Sequence, residues 1–393
     1  MRGQGAWGGA LPRRPLRVAT GAELGRIVIV GAGVVGTALA VAAVDQGHEV
    51  VQIERDAEPR GATVRSFGLL WISGRAPGRE LDVALASRAR WIELARRAPE
   101  IGLRECGSLL LARGPEEAAL IEEVCARPDA VARGLSVVTP EEARRLNPAL
   151  AGTFACALHC ALDAVVEPRR ILPALRGLAE ASGSYTFLPG RTVVEAGGPL
   201  VRDHLGDVHE GDVAVICTGA WLELYGADRV AAAQLRTIRL QMAETEPVAA
   251  AFTTAVANAD SMRYYPGFDL PARASLPAPD PAVAQFEAQL LLAPRRNGAI
   301  TIGDTHAFDS PGAFGSDDAA HVYLAREAAL AFGVPAPAIA RRWEGAYLRR
   351  CDGADWVWRA ELRPGVVAVA GTGGMGVTGS QQLAVETLDA LDL

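Results

Sequence analysis

The sequence predicts an α/β protein in which a Rossmann-type nucleotide-binding domain is joined to a second domain built mainly on an antiparallel sheet. Two glycine-rich junctions between a buried-type strand and a helix, one near each end of the chain, predict the first domain. After about residue 226, strands follow one another with few crossover helices, which predicts the second. We expect residues 25–85, 150–225 and 340–393 to form the nucleotide domain, and residues 86–149 and 226–339 to form the substrate domain.

The N-terminal junction carries the most specific motif. The apolar run Ile27 to Val30 leads into Gly31, Gly33 and Gly36, in the spacing GxGxxG, and a helix is predicted from Val34 to Gln46. Such a turn brings backbone N–H groups and a helix N-terminus close to a pyrophosphate. A second strand, 49–53, ends at Glu54, where a carboxylate can accept the ribose hydroxyls of an adenosine. The acid favours FAD or NAD over NADP.

Composition excludes several classes of protein. The chain has 393 residues, half of them apolar, so it can bury a large core, and no apolar run approaches the roughly 20 residues of a membrane span. A net charge of −7 without a basic cluster argues against nucleic acid as a partner. Residues 1–24 are predicted to be a disordered extension. All 39 basic residues are arginine, so lysine-based catalysis is excluded.

The six cysteines do not predict a metal site. Cys156 and Cys160 flank His159, but no second pair of ligands follows at a zinc-like spacing. We expect reduced thiols in a cytoplasmic protein.

Periodicity and turn signals predict the remaining elements. Thr139 and Glu142 form a capping box, the Asn297-Gly298 pair predicts a hairpin, and Ser316 to Asp318 are expected to cap a helix that stops at Gly333. Helices are expected at about 80–98, 115–125, 140–147, 167–178, 318–332 and after about 381, and strands at about 109–111, 185–188, 192–195, 213–217, 235–244, 289–293, 299–303 and 366–370.

Several segments together resemble the family of FAD-dependent D-amino-acid oxidases, glycine oxidases and sarcosine oxidases. They are the GAGVVG turn, Glu54, the loop 61–68, Cys217-Thr-Gly-Ala-Trp221, Thr301-Ile-Gly-Asp304 and the glycine-rich segment 371–380. Finer details, among them Val64-Arg-Ser-Phe-Gly68 and Gly303-Asp-Thr-His306, resemble a subgroup associated with aminophosphonate breakdown.

The resemblance implies FAD, held noncovalently or covalently, and hydride transfer from a small anionic amine to the flavin. We expect noncovalent FAD, because of the position of Cys351. The imine then hydrolyses, and dioxygen or an electron carrier reoxidises the flavin. The residues that the resemblance and the motifs place at the cofactor are Gly31, Gly33, Val34, Val35, Gly36, Glu54, Arg55, Thr63, Arg65, Ser66, Phe67, Gly68, Val193, Val194, Thr218, Gly219, Trp221, Gly373, Gly374, Met375, Gly376 and Thr378.

Three departures from the family pattern bear on the substrate and on oxygen. The slot where amino-acid oxidases carry a carboxylate-binding arginine holds Tyr347, with Arg349 two residues later. Cys351 does not align with the cysteine that holds covalent flavin in sarcosine oxidases. The chain lacks the lysine that assists oxygen in some relatives, so Arg239 or Arg263 would have to replace it, or an electron carrier would replace oxygen.

The candidate substrate residues are Arg65, Arg263, Tyr265, His306, Tyr347 and Arg349. Arginine can grip a phosphonate or carboxylate with two hydrogen bonds, but each arginine could also be a solvated surface residue. The histidine and the tyrosines could equally be structural. A flavin dehydrogenase of a 2-hydroxy acid and a non-catalytic nucleotide-binding protein remain alternative functions, and the oligomeric state is open.

Overall fold

The computed structural model describes residues 25–198, 200–225, 227–249, 251–309 and 318–392. The predicted N-terminal extension lies outside these ranges, as do Ser316 and Asp317 of the predicted helix cap. Within the described residues, no helix combines the length and the apolar character that a bilayer crossing requires.

The α-helices are α1 (Val34–Asp45), α2 (Arg79–Arg97), α3 (Pro115–Cys125), α4 (Pro140–Leu146), α5 (Ile171–Glu180), α6 (Ala227–Ala232), α7 (Ser261–Tyr264), α8 (Pro281–Phe286), α9 (Asp318–Phe332) and α10 (Gly376–Asp389). The strands are β1 (Arg26–Val30), β2 (Glu49–Ile53), β3 (Leu69–Leu70), β4 (Ser108–Ala112), β5 (Leu135–Val138), β6 (Cys156–Cys160), β7 (Ala164–Val165), β8 (Tyr185–Leu188), β9 (Val193–Ala196), β10 (Leu200–Asp203), β11 (Val208–Glu210), β12 (Val213–Ile216), β13 (Leu235–Thr245), β14 (Ala255–Asn258), β15 (Leu291–Pro294), β16 (Ile300–Gly303), β17 (Ala307–Phe308), β18 (Ile339–Arg350), β19 (Trp358–Arg363) and β20 (Val366–Ala370).

A six-stranded sheet forms the Rossmann-type part, in the order β19-β20-β12-β1-β2-β8. All neighbours are parallel except the β19–β20 pair. The central strand β1 is buried on both faces because α1, α5 and α10 cover one side and the small β9-β10-β11 sheet contributes to the other. The predicted α/β class with a parallel nucleotide-binding sheet is therefore confirmed.

A nine-stranded sheet forms the second part, in the order β17-β13-β16-β15-β14-β4-β6-β5 with β18 added to β13. Its pairs are antiparallel except β14–β4. Leu120 and Ile121 of α3 pack into a cluster on this sheet, and Tyr323 and Leu324 of α9 pack into another. The predicted antiparallel sheet is confirmed. Two of its strands, β6 and β18, come from ranges expected in the nucleotide domain, and the exact domain boundaries stay a prediction.

Local signals located most elements correctly. The Thr139 hydroxyl accepts the Glu142 N–H at 3.3 Å, and the Glu142 carboxylate accepts the Thr139 N–H at 2.8 Å, which is the predicted capping box. Strands β15 and β16 pair as the hairpin that the Asn-Gly signal predicts. Gly333 follows α9 with φ of +69°.

Two helix starts were predicted wrongly. Helix α10 begins at Gly376 and not near Gln381, because its small residues let it pack closely; a methyl group added at Gly379 would lie 2.9 Å from the Trp356 ring. Helix α5 begins at Ile171, after a turn in which Arg170 and Ile171 both donate to the Glu167 carbonyl.

Candidate active site

A large cleft runs from the nucleotide turn to the antiparallel sheet. It holds about 2000 Å³ of space free of protein atoms, part of which is open to solvent. The ends of β1 and β12, the loop 53–69, strand β18 and the junction between β20 and α10 all line it. The two glycine-rich junctions at opposite ends of the sequence therefore border one cleft.

The three glycines of the first turn have different surroundings. Gly31 has φ of +106°, and an added Cβ would lie 2.5 Å from the carbonyl oxygen of Cys217. An added Cβ at Gly36 would overlap the carbonyl oxygen of Gly31, so this glycine allows α1 to lie against the turn. At Gly33, by contrast, the only atom of the described residues within 4 Å of an added Cβ, apart from the adjoining backbone, is the Thr63 hydroxyl oxygen at 3.7 Å. Gly33 therefore leaves open space on the cleft side, where a phosphate could approach.

Glu54 fixes the turn from the neighbouring strand. Its Oε2 atom accepts the Ala32 N–H at 2.7 Å, and its Oε1 atom accepts the Asp56 N–H at 3.0 Å. Next to it, the Arg55 guanidinium stacks 4.3 Å from the centre of the Trp221 ring. All five of these residues line the cleft.

The loop 60–68 is held in place by its own hydroxyl groups. The Thr63 hydroxyl accepts the N–H of Val34 at 3.0 Å, and the Ser66 hydroxyl donates to the Thr63 carbonyl at 2.8 Å and accepts the Gly68 N–H at 3.2 Å. Arg65 is exposed and donates to the Glu344 carbonyl at 2.6 Å. The hydroxyl groups of Thr63 and Ser66, two of the predicted cofactor residues, thus position the backbone of this loop along the cleft.

The C-terminal junction presents a second helix N-terminus. Gly371 and Gly373 have φ of +75° and +54°, and the chain makes one 3₁₀ turn (Gly373–Met375) before α10. Gly373, Gly374 and Gly376 line the cleft. Because the N-terminal end of a helix carries partial positive charge, α10 can stabilise negative charge in the cleft.

The donor set fits FAD. A carboxylate for a ribose, an open glycine turn for the phosphates and two helix N-termini lie along one elongated cleft. Three buried polar atoms at the cleft, Thr218 Oγ1, Tyr347 Oη and Trp71 Nε1, have no hydrogen-bond partner in the described part of the chain. Buried polar groups are normally paired, so these atoms are available to a ligand.

Some residues expected at the cofactor do not line the cleft. Val194 is 57% exposed and points elsewhere, and Met375 packs in a separate apolar cluster. The Thr378 hydroxyl donates to the Leu69 carbonyl and accepts the Trp71 N–H, each at 3.1 Å. The others, apart from Gly36, do line it: Gly31, Gly33, Val34, Val35, Glu54, Arg55, Thr63, Arg65, Ser66, Phe67, Gly68, Val193, Thr218, Gly219, Trp221, Gly373, Gly374 and Gly376.

An aromatic chamber forms the end of the cleft on the antiparallel sheet. Tyr264, Tyr265, His306 and Tyr347 line it, and burial raises the pKa of all three phenols, so they are neutral near pH 7. The Tyr264 and Tyr265 rings meet edge to face with centroids 5.0 Å apart. Asp304, a buried carboxylate in the same chamber, belongs to two of the motifs that carry the resemblance but was not among the predicted site residues; a charged residue directly after an apolar strand was the available signal.

The candidate arginines separate into different environments. The Arg349 guanidinium lies 5.5 Å from the centre of the Tyr264 ring and 6.0 Å from that of Phe308, and its side chain borders Gly373. Arg349 therefore contacts two residues that line the cleft, Tyr264 and Gly373, although it is not itself part of the lining. No carboxylate among the described residues forms an ion pair with it. Arg263 instead pairs with Asp260 at 3.3 Å, donates to a backbone carbonyl and does not line the cleft.

Comparisons with known proteins agree with this geometry. Residues 26–387 match the family model described as DAO, FAD dependent oxidoreductase. Glycine oxidase from Geobacillus kaustophilus has a similar structure, with a TM-score of 0.74 and 21% identity over 94% of this chain and 95% of that chain. L-proline dehydrogenase from P. horikoshii gives a TM-score of 0.74 and 20% identity over 94% of each chain.

One curated relative matches a shorter stretch. It is the tRNA 5-methylaminomethyl-2-thiouridine biosynthesis bifunctional protein of Chromohalobacter salexigens, 33% identical over 125 residues. The match covers 30% of this chain and only 18% of that protein. Because the family model spans nearly the whole of the described chain, the protein belongs to the DAO family of FAD-dependent oxidoreductases.

Proposed function

We propose that the enzyme oxidises the C–N bond of a small anionic amine, with an aminophosphonate as the favoured substrate. The observation that carries this proposal is the pairing of an arginine without a carboxylate partner in the described residues, Arg349, with a chamber of neutral phenols. The similar structures named glycine oxidase and L-proline dehydrogenase, and the curated relative whose name contains a methylaminomethyl group, support an amine as the substrate.

The anionic end of the substrate would bind at Arg349. The slot where amino-acid oxidases of this family are expected to hold their carboxylate-binding arginine is Tyr347, two residues earlier on β18. Neighbouring positions on a strand face opposite sides, but positions two apart share a face, so Arg349 lies on the same face of β18 as Tyr347. The displacement of the cation by about 7 Å along the strand favours a larger or differently placed anion than an α-carboxylate.

The protein's own residues would position the substrate and exclude water. Trp71 and Tyr265, with ring centroids 6.0 Å apart, line the chamber, and the Arg75 guanidinium lies 5.2 Å from the centre of the Tyr265 ring. Arg75 is itself neutralised by Glu80 at 3.2 Å, so it does not compete with Arg349 for the anion. Bound FAD would supply the hydride acceptor for the oxidation.

The electron acceptor after the flavin is left to experiment. Arg239 pairs with Glu344 at 2.8 Å and Arg263 with Asp260, and neither lines the cleft. We therefore assign neither arginine a role toward dioxygen, although the sequence offered both as replacements for a lysine. Oxygen consumption and peroxide formation during turnover distinguish an oxidase from a dehydrogenase.

A screen of flavin reduction tests the substrate class. The FAD-loaded enzyme is mixed without oxygen with 2-aminoethylphosphonate, its N-methyl and 1-hydroxy derivatives, glycine, sarcosine, D-amino acids and 2-hydroxy acids. We expect the aminophosphonates to bleach the flavin, Arg349→Leu to raise their apparent Kd at least tenfold, and Arg263→Leu to leave it unchanged. Bleaching by plain amino acids alone would contradict the aminophosphonate, and bleaching by 2-hydroxy acids alone would contradict amine oxidation.

A further inference from the structure

Asp304 and His306 form a buried pair at the substrate end of the cleft. Asp304 directly follows β16, and both side chains line the cleft although they are only 6% and 4% exposed. The Asp304 Oδ1 atom accepts from the Gln289 side chain at 3.2 Å, and its Oδ2 atom lies 3.5 Å from the His306 Nε2 atom. Backbone bonds in both directions between Gln289 and Asp304, at 2.8 and 3.0 Å, hold the carboxylate in place.

The tautomer of His306 follows from its other ring nitrogen. The Nδ1 atom lies 3.0 Å from the backbone carbonyl oxygen of Glu287. A carbonyl oxygen can only accept a hydrogen bond, so Nδ1 must carry the hydrogen and donate it. In a neutral imidazole the Nε2 atom then has a lone pair, and this lone pair faces the carboxylate of Asp304.

Two lone pairs facing each other in a buried site repel, and a single proton between them removes the repulsion. Burial raises the pKa of Asp304, which means that the pair takes up a proton more readily than an exposed aspartate would. The proton can be held by Asp304 Oδ2 or by His306 Nε2, because these two atoms lie 3.5 Å apart. Without its proton, the pair is a buried site with one negative charge and a high proton affinity.

The groups around the pair do not neutralise it. The Tyr264 ring stacks on the imidazole of His306 with centroids 4.1 Å apart, and Tyr265 and Tyr347 complete the aromatic wall. All three phenols have a raised pKa because they are buried, so they stay neutral. Neither nearby cation forms an ion pair with Asp304 in the described part of the chain, because Arg75 pairs with Glu80 and Arg349 lies over the Tyr264 and Phe308 rings.

Position along the cleft separates Asp304 from the other acids. Among the described residues that line it, the remaining carboxylates are Glu54 and Asp56, which belong to the nucleotide turn. Among the described residues that line the cleft, Asp304 is therefore the carboxylate that an ammonium ion would contact in the chamber. Amines of this kind have a pKa of about 10 in water, so they arrive protonated at neutral pH.

We propose that the Asp304–His306 pair accepts the proton of the substrate ammonium group, so that the amine is bound in its neutral form. The N–H bond of the ammonium ion breaks, the nitrogen keeps the electron pair, and a new bond to hydrogen forms at Asp304 Oδ2 or His306 Nε2. The amine, now with a free lone pair, can lose hydride from its adjacent carbon. This inference rests on the proposed function in one respect, namely that the ligand is an amine.

The pH dependence of binding tests the proton transfer without turnover. Two probes lack hydrogen on the carbon that bears nitrogen and so cannot be oxidised: 2-amino-2-methylpropanoate and 2-amino-2-methylpropylphosphonate. Their binding to the FAD-loaded enzyme is followed through the flavin spectrum between about pH 8 and pH 11, where the carboxylate and phosphonate are fully ionised. Asp304→Asn is the informative variant, since its amide can still donate to His306 Nε2 but cannot hold an extra proton. Asp260→Asn is the control, because Asp260 does not line the cleft.

The two binding profiles should differ in shape. For the wild type and Asp260→Asn, affinity should be constant below the pKa of the free amine, because the proton moves from ligand to protein and none is released. Above that pKa affinity should fall, because the free amine no longer carries the proton. For Asp304→Asn, affinity should rise by about tenfold per pH unit up to that pKa, because only the neutral amine binds. Identical profiles for wild type and Asp304→Asn would overturn the proposal. If the variant does not fold, a continuous rise for the wild type alone would overturn it.

Nuclear magnetic resonance separates this proposal from the proposed function. In enzyme labelled with nitrogen-15 histidine, and assigned with His306→Gln, the Nδ1 atom of His306 should carry hydrogen, and Asp304→Asn should change the Nε2 signal because its amide donates to Nε2. A neutral tautomer with hydrogen on Nε2 would contradict the shared proton. If no amine reduces the wild-type flavin but these signals are found, the proposed substrate fails and the proton site remains.

Discussion

The hydroxyl group of Thr378 accepts the backbone N–H of Trp71 at 3.1 Å, although 307 residues separate them in sequence. The same hydroxyl donates to the carbonyl of Leu69, also at 3.1 Å. The start of α10 is thereby tied to β3 and to the segment that carries Trp71 into the aromatic chamber. This hydroxyl therefore links the C-terminal helix to the segment 69–71, and both parts of the chain border the cleft.

Removing this hydroxyl should destabilise the protein. Thr378→Val keeps the shape of the side chain but leaves the Trp71 N–H and the Leu69 carbonyl unpaired in a buried site, which costs about 1–3 kcal/mol in the free energy of unfolding. Thr387→Val is the matched control, because its buried hydroxyl makes one bond to the Leu383 carbonyl within the same helix. Urea denaturation of the two variants should give the larger loss for Thr378→Val. Equal losses would show that the link between the two segments contributes no more to the free energy of unfolding than a hydrogen bond within the helix.

The glycine turn makes a prediction that separates folding from FAD binding. Gly36→Ala should lower the melting temperature of the apoprotein, because its methyl group would overlap the Gly31 carbonyl oxygen. Gly33→Ala should leave the apoprotein melting temperature nearly unchanged, since the nearest atom is 3.7 Å away, but should weaken FAD binding at least tenfold by filling the side facing the cleft. Melting curves and FAD fluorescence titration measure the two effects. Normal FAD affinity for Gly33→Ala would refute the assignment of the phosphates to this turn.

Removing the buried hydroxyl of Tyr347 should affect ligand binding and not stability. The Tyr264 side chain is near enough to interact with it, but no hydrogen bond of normal geometry forms in the described part of the chain, so Tyr347→Phe removes a buried polar group without breaking such a bond. We expect the free energy of unfolding of the apoprotein to change by less than about 1 kcal/mol. Substrate or FAD affinity should fall, since the hydroxyl is kept for a ligand. A strongly destabilised variant with unchanged affinities would assign the hydroxyl to the fold.

FAD should be released from the protein by acid precipitation. Cys351 is exposed and does not line the cleft, so no covalent link through it is expected. Cys217 does line the cleft, but burial raises the pKa of its thiol to about 12, which keeps it protonated and unreactive near pH 7. Yellow colour that stays with the precipitated protein would contradict noncovalent binding, and mass spectrometry of its peptides would locate the attachment.

How far the sequence predicts the structure depends on whether a signal is local. The β1 turn, the Thr139 capping box and the Asn297-Gly298 hairpin each depend on neighbouring residues, and the structure contains all three. The start of α10 was misplaced because close packing, visible only in three dimensions, makes a helix of residues that locally favour a loop. Strand β18 was missed because its exposed first half lacks the alternation of a half-buried strand.

The candidate site follows the same rule. The motif glycines and the loop around Thr63 were found because the nucleotide turn has a fixed spacing. The stacking of Arg349 on Tyr264 and of Tyr264 on His306 depends on how α7, β18 and the segment after β16 meet, and no spacing in the sequence encodes that. Arg263 shows the converse: it lies beside two chamber tyrosines in sequence, yet its guanidinium is held by Asp260 outside the cleft.

The most direct test of the central claim, oxidation of a C–N bond, is the stoichiometry of a single turnover. The FAD-loaded enzyme is mixed without oxygen with 2-aminoethylphosphonate or its N-methyl derivative, and both the loss of oxidised-flavin absorbance and the amine or ammonia released are measured. The account predicts one equivalent of ammonia or methylamine, with the matching aldehyde, for each flavin reduced. Flavin reduction without release of nitrogen, or reduction only by a 2-hydroxy acid, would contradict it.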